Sequence, residues 1–217
     1  MLLLSGREGG DFSLSYLVTM GFGVLVGVLV QWIAVPPLYF GEARGRLSEL
    51  RSALAACLDE AEGLVRGEQR DERRLRDAVD VLVSMLGDVT EEIREARRSE
   101  RVNPRARRRH GEREAIDEQF RALDRAAFFV RVLSELVTAR ERPEPVARTL
   151  GDAIERCRAL FGASPGRDAR RRELDEARAA LEHYYRALDR DLRRVPGSLV
   201  DDAATGSCLS RIVEALA

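Results

Sequence analysis

Lysine is absent from this chain, and all 36 basic residues are therefore arginine. They stand against 37 acidic residues, which gives a formal net charge of −1. A nearly neutral chain has no overall field that would draw the whole molecule onto nucleic acid. We therefore predict no nucleic-acid partner, and any electrostatic partner must be bound by a local cluster of charge.

Cysteine and histidine are scarce and scattered. Cys57, Cys157 and Cys208 are odd in number, far apart and without a CxxC spacing, which predicts small core residues in a reducing compartment. His110 and His183 have no second histidine or cysteine at ligand spacing. The sequence therefore predicts neither a metal site nor a cofactor.

Catalytic motifs and strand patterns are missing too. There is no G-x-S-x-G, no glycine-rich phosphate loop and no paired-carboxylate constellation, so we predict that the chain is not an enzyme. No stretch alternates apolar and polar residues with period two, so we predict no β-sheet and an all-α fold. Tyr184-Tyr185 is open to two interpretations, a ligand-stacking patch or one tyrosine within an apolar stripe beside one at its border.

One long apolar run is present near the N-terminus. Residues 14–35 carry no charge in 22 positions, and a helix of that length spans about 33 Å, against a hydrocarbon core of about 30 Å. Aromatic residues flank the run, and Pro36 and Pro37 end it. We predict a transmembrane helix within residues 14–37, because the run is too long for a signal peptide and no cleavage site follows.

Charges beside the run predict its orientation. Arg44, Arg46 and Arg51 follow it, whereas Arg7 stands alone before it among acidic residues. By the positive-inside rule, the part after the span is cytoplasmic. The predicted organisation is an extracytoplasmic tail at 1–13, a single span of the cell inner membrane at 14–37, and a cytoplasmic helical domain at 38–217.

One face of the predicted span is small or polar. Thr19, Gly23, Gly27 and Gln31 recur every four residues, and GxxxG spacing allows close approach of two helix backbones in lipid. We predict that this face packs against another transmembrane helix, in a homo-oligomer or a separate multi-span membrane subunit. The alternative is that glycine is simply common in such helices and that Gln31 reaches to the interface.

Beyond residue 40 the apolar residues recur at spacings of three and four, which predicts amphipathic helices with coiled-coil-like packing. Gly67 and the charged run after it predict a turn between the first two helices, which form an antiparallel hairpin. Prolines and glycines separate the later helices, so the fold is an antiparallel helical bundle. The stripes begin at Leu47, Leu75, Ile116, Val146 and Leu174, and a short final helix carries Leu209, Ile212, Val213 and Leu216.

A dense basic segment follows the second stripe. Eight arginines lie between Arg94 and Arg109 against Glu95 and Glu100. Because a hairpin of two similar helices returns to its starting level, this segment is predicted to reach the bilayer, where anionic lipid attracts each arginine by about 1 kcal/mol. The alternative is a solvated loop that compensates a helix dipole. The predicted membrane-surface basic loop consists of Arg101, Arg105, Arg107, Arg108 and Arg109.

Two stretches carry a resemblance to a known family. They are SLSYLVTMGFGVLVGVLVQWIAVPPLYFGEAR and EEIREARRSERVNPRARRR, the latter followed by LDRAAFFVRVLSEL. Both resemble the aromatic acid exporter family, which is related to the fusaric acid resistance-type transporters. The resemblance covers about residues 12–140 and implies the last span and cytoplasmic region of an exporter of aromatic or other organic acids. The family has several further transmembrane helices before this one, whereas one apolar run of that length is present in these 217 residues, so the chain is expected to act with a separate membrane subunit or to be the C-terminal part of a larger transporter.

Two functions follow as hypotheses. The first is the C-terminal part of an exporter that acts in an efflux assembly, with the Thr19 face as its docking surface and membrane lipid as a further contact. The second is a membrane-anchored helical scaffold or dimerisation module without transport.

Overall fold

The computed structural model describes eight stretches of the chain, which cluster into two compact units, Met1–Glu42 and Ala43–Ala217. The described residues are 16, 18–27, 38–68, 71–100, 110–139, 142–162, 166–192 and 199–217. Within the first unit, residues 18–27 are helical. Across the described stretches, no helix combines the length and the apolar character needed to span a bilayer.

Six helices have defined bounds in the part of the chain that the structure describes, and that part contains no strand. The all-α prediction is therefore confirmed for those residues. The helices are α1 Leu38–Val65, α2 Glu72–Glu100, α3 His110–Thr138, α4 Glu144–Ala159, α5 Arg167–Leu192 and α6 Leu199–Leu216.

The predicted stripes form the core of the larger unit. Each of α1 to α5 buries several apolar residues of its own stripe, among them Leu54, Leu82, Val130, Leu150 and Leu181. Because these residues recur every three or four positions, each helix turns one continuous apolar face inwards. The helical bundle predicted from the spacing is thus present.

Local signals place the helix ends. Gly67, which follows α1, has a φ of +69°, a left-handed conformation that favours glycine. Pro143 is the N-cap of α4 and Pro145 lies in its first turn, where the missing N–H costs nothing. The turn predicted at Gly67 and the break predicted at the prolines are both at those positions.

Ion pairs give the directions of the first helices. Arg46, near the start of α1, lies 3.4 Å from Glu92, near the end of α2, so the two helices run antiparallel. Arg66, just after α1, lies 3.0 Å from Asp152 in the first half of α4, whereas Asp59 pairs with Arg158 at the end of α4. α1 and α4 therefore also run antiparallel.

The last four helices form an up-and-down bundle. α3 packs against α6, α4 against α5, and α5 against α6, while α2 packs against α3. Arg142 donates hydrogen bonds both to the carbonyl of Leu136 at the end of α3 and to Asp202 at the start of α6. The end of α3 and the starts of α4 and α6 therefore meet at one end of the bundle.

One prediction was wrong about the length of a helix, and another concerns residues that the structure describes only in part. The final helix was predicted to be short, but α6 begins at Leu199 and has 18 residues. Its first half was missed because that half buries Asp202 and Thr205, which break the apolar spacing. The span predicted at 14–37 is described only at residue 16 and at 18–27, so the single-span topology stays a prediction.

Candidate functional site

The helical stretch at residues 18–27 presents apolar side chains outwards. Tyr16, Val18, Met20, Phe22 and Val24 are each more than 60% exposed. Every described residue of this stretch is exposed, and none carries a charge. Soluble proteins rarely expose a contiguous apolar surface of this kind, and such surfaces mark interaction sites for membranes or other proteins.

Three of the four predicted packing residues lie within this stretch. Thr19, Gly23 and Gly27 are four residues apart in a helix, so they share one face. A Cβ added at Gly23 or Gly27 would have no atom within 4 Å, so this face is open to a neighbouring helix. Gln31 lies outside the described residues. Whether the face packs against another helix remains a prediction.

The predicted basic loop is not among the described residues: Arg101, Arg105, Arg107, Arg108 and Arg109 all lie outside them. The structure describes its two flanks, the end of α2 and the start of α3. The Arg46–Glu92 ion pair places the last part of α2 beside the first part of α1. The chain therefore leaves α2 at the end of the hairpin where α1 enters it.

A buried charged pair links α6 to the connection between α3 and α4, at the end of the bundle opposite the start of α1. Arg142 Nε lies 2.7 Å from Asp202 Oδ1, and each side chain is only 3% exposed. The same guanidinium donates to the carbonyls of Leu136 and Val137, and to Thr205 Oγ1 at 3.3 Å. Charged residues are almost never this deeply buried unless paired. The arginine thus connects α6 with the C-terminal end of α3.

Sequence reasoning missed this pair because its members are 60 positions apart and neither belongs to a motif. The one local signal was Arg142 directly before Pro143, in the connection between two helices. A polar residue in a short connection is ordinarily exposed, so this position alone did not indicate a buried arginine.

The tandem tyrosines both contact α6. Tyr184 is fully buried and donates a hydrogen bond of 2.9 Å to the backbone carbonyl of Asp202. Burial, with the nearby Asp202 charge, raises the pKa of Tyr184. The Tyr185 hydroxyl lies 3.3 Å from Ser210 Oγ, also on α6, and its ring meets that of Tyr184 at a tilt of 47°. Of the two interpretations, the tyrosine within the apolar stripe fits these contacts.

A second charged cluster ties α1 to α4. Arg66 bonds Glu62, Asp152 and Glu155, at 3.0, 3.0 and 3.1 Å, and Arg158 lies 3.6 Å from Glu62. Desolvation raises the pKa of Glu62, although the two arginines act in the opposite direction. Most of these groups are partly exposed, so the cluster orients the helices more than it stabilises them.

A third arginine contact lies at the other end of the bundle. Arg170, in the first turn of α5, donates to the carbonyl of Leu160 after α4 and, at 2.9 Å, to that of Leu216 at the end of α6. Desolvation lowers the pKa of its guanidinium. Carbonyls at the C-terminal end of a helix have no amide partner within that helix, and Arg170 donates to backbone acceptors at the ends of two helices.

Histidine and cysteine form no ligand set in the described parts of the chain. There, no three His, Cys, Asp or Glu side chains are placed to hold a metal ion. Cys57, Cys157 and Cys208 are buried and free, as predicted for small core residues. His183 lines an open groove of about 410 Å³ between α4 and α5, which an Arg156–Glu176 ion pair crosses at 2.9 Å.

Comparison of the chain with protein-family profiles, with curated proteins and with solved structures gave no match.

Proposed function

We propose that this protein is a membrane-anchored helical module that docks onto another membrane helix. The observation that carries the proposal is the exposed, uncharged helical stretch at 18–27, which continues in sequence as an apolar run to residue 35. In lipid, such side chains need no protein partner, whereas in water their exposure is unfavourable. The helical bundle that follows in the chain is the cytoplasmic part.

The proposed docking surface is the small and polar helix face, which consists of Thr19, Gly23, Gly27 and Gln31. Small residues allow backbones to approach closely, and an amide in hydrocarbon gains from a hydrogen-bonding partner. The partner is a second copy of this chain or a separate multi-span subunit. Resemblance to the aromatic acid exporter family favours the second, with the module acting in an efflux assembly. A neighbouring reading frame that encodes several hydrophobic helices supports this version, and its absence favours the scaffold without transport.

Substitutions on the two sides of the helix test the docking face. Gly23→Leu and Gly27→Leu add bulk on the proposed face, whereas Gly21→Leu adds the same bulk about 160° from Gly23 and about 120° from Gly27. We expect crosslinking of the full chain in native membranes, to itself or to a partner, to fall for the first two variants and to stay unchanged for the control. Equal crosslinking in all three variants would exclude this face as the docking surface.

The basic segment supplies a second proposed contact, with anionic lipid. The flanking helices support this proposal, because the Arg46–Glu92 pair brings the last part of α2 beside the first part of α1, and α1 follows the apolar run in sequence. Arginines near an anionic surface each contribute about 1 kcal/mol, screened by salt. Anchoring would thus involve one helix and one cluster of charge.

Vesicle binding tests this contact with residues 43–217, which form one compact unit. Replacing Arg105, Arg107, Arg108 and Arg109 by Gln is expected to weaken binding to vesicles with anionic lipid, and the difference should shrink as salt rises. Circular dichroism checks that both forms remain helical. Equal binding by both forms, or no binding by either at low salt, would leave the segment as a solvated loop.

Orientation has its own test. A reporter fused after Ala217 is expected to be active only when it is of the kind that works in the cytoplasm, because the arginine excess follows the apolar run. Activity of a periplasm-specific reporter at that position would reverse the proposed topology.

A further inference from the structure

The two halves of α6 are held in different ways. Its second half buries Cys208, Leu209, Ile212 and Val213, which are apolar. In its first half, the buried residues among 200–206, whose side chains the structure describes, are polar or small, namely Asp202, Thr205 and Gly206, and Val200 is 80% exposed. The apolar burial that ordinarily docks a helix is therefore concentrated beyond Gly206.

Polar contacts hold the first half instead. Asp202 pairs with Arg142 at 2.7 Å, Thr205 accepts from the same arginine at 3.3 Å, and the Asp202 carbonyl accepts from Tyr184 at 2.9 Å. Arg142 is itself fixed by the carbonyls at the end of α3. Since a buried charge without its partner is strongly unfavourable, loss of the pair removes the main reason for this half to stay docked.

Glycine stands at the junction of the two halves. Gly206 is buried, and a Cβ at this position would lie 2.8 Å from the ring of Tyr185, so the helix approaches α5 closely there. Glycine also weakens a helix interior because its backbone has more freedom to lose. The junction is thus the natural place for α6 to bend.

We infer that residues 199–206 form a releasable half-helix, locked by the Arg142–Asp202 pair and hinged at Gly206. When the lock opens, the half-helix leaves the bundle and uncovers Tyr184, while residues 207–216 stay docked through their apolar side chains and the Arg170–Leu216 contact. The pair therefore acts as a conformational lock for one segment of the bundle.

Hydrogen exchange of the full chain, read by mass spectrometry, tests this inference. Asp202→Asn removes the charge from the lock, and Asp201→Asn makes the same change at the exposed neighbouring residue. We expect exchange in residues 199–206 to rise about tenfold or more in Asp202→Asn, with little change in residues 207–216 or in α4. In Asp201→Asn, exchange should match that of the unaltered protein.

Two results overturn the inference. One is unchanged exchange in residues 199–206 of Asp202→Asn, and the other is an equal rise throughout the bundle, which would make the pair a support of the whole fold. If Asp202→Asn does not fold, Thr205→Val is the milder test, because it removes one acceptor from Arg142 and keeps the charged pair. A rise confined to residues 199–206 supports the lock, and an equal rise throughout the bundle contradicts it.

Discussion

Tyr184 and Tyr185 are adjacent in α5, and removing their hydroxyl groups should have very different effects. In Tyr184→Phe, the buried hydrogen bond of 2.9 Å to the Asp202 carbonyl is lost, while the ring and its packing remain. A buried hydrogen bond contributes about 0.5–1.5 kcal/mol net. Because no cavity forms, we expect the free energy of unfolding to fall by about 1 kcal/mol. The Asp202 carbonyl lies within α6 and can accept a backbone hydrogen bond there, so loss of the tyrosine hydroxyl does not leave it wholly unsatisfied.

Tyr185→Phe is the matched control. Its hydroxyl lies 3.3 Å from Ser210 Oγ, and the side chain is 39% exposed, so water can replace the lost partner. We expect a loss of less than about 0.5 kcal/mol.

Urea and thermal unfolding, followed by helical circular dichroism, measure both changes. A loss of about 1 kcal/mol corresponds to a fall in Tm of roughly 2–4 °C for a domain of this size. The reasoning is refuted if the two variants lose the same free energy, or if Tyr185→Phe loses more, since burial would then not decide the strength of these hydrogen bonds.

Three further predictions use the same unfolding and labelling assays. Burial raises the pKa of Cys57 and of Cys157 to about 12. These thiols should therefore not react with a thiol reagent at pH 8 in the native protein, but they should react after denaturation. Fast labelling of either thiol in the native protein would contradict its burial. The pKa of Glu62 is raised, so its ionised form lowers the stability of the fold above that pKa. Glu62→Gln should therefore be at least as stable as the unaltered protein at neutral pH, and the difference should close as the pH falls through the raised pKa. A difference that widens on acidification would contradict this. Arg142→Met removes the partner of the Asp202 charge. Because release of residues 199–206 returns that carboxylate to water, the free energy of unfolding should fall by less than the roughly 3–5 kcal/mol expected for a charge that stays buried. Arg142→Met with Asp202→Leu should lose less still, and equal unfolding free energies for the two would show that the unpaired charge is not the cause.

The apolar spacing predicted most of the fold because five of the six helices bury one regular stripe. The stripe residues of α4 and α5, from Val146 to Leu160 and from Leu174 to Leu188, are all buried. Gly67 and Pro143 marked helix ends because each has a backbone property that other residues lack. Local chemistry of this kind is readable from one sequence.

Long-range polar contacts were not readable in the same way. The first half of α6 has no apolar stripe, and its burial depends on an arginine 60 positions earlier in the chain. Apart from the proline that follows Arg142, nothing in the neighbourhood of Arg142 or Asp202 distinguishes them from the many exposed charged residues of the chain. Pairing of this kind is set by tertiary packing, and the sequence of either helix alone does not encode it.

The Arg170 contact also determines where an added tag would emerge. Because one guanidinium bonds the ends of both α4 and α6, these helices run in the same direction and finish side by side. Arg51, in the first half of α1, is close enough to act on the charge of Arg170. A fluorescent protein fused after Ala217 would thus lie at the end of the bundle where α1 begins. Its linker must be long enough to preserve the hydrogen bond from Arg170 to the Leu216 carbonyl.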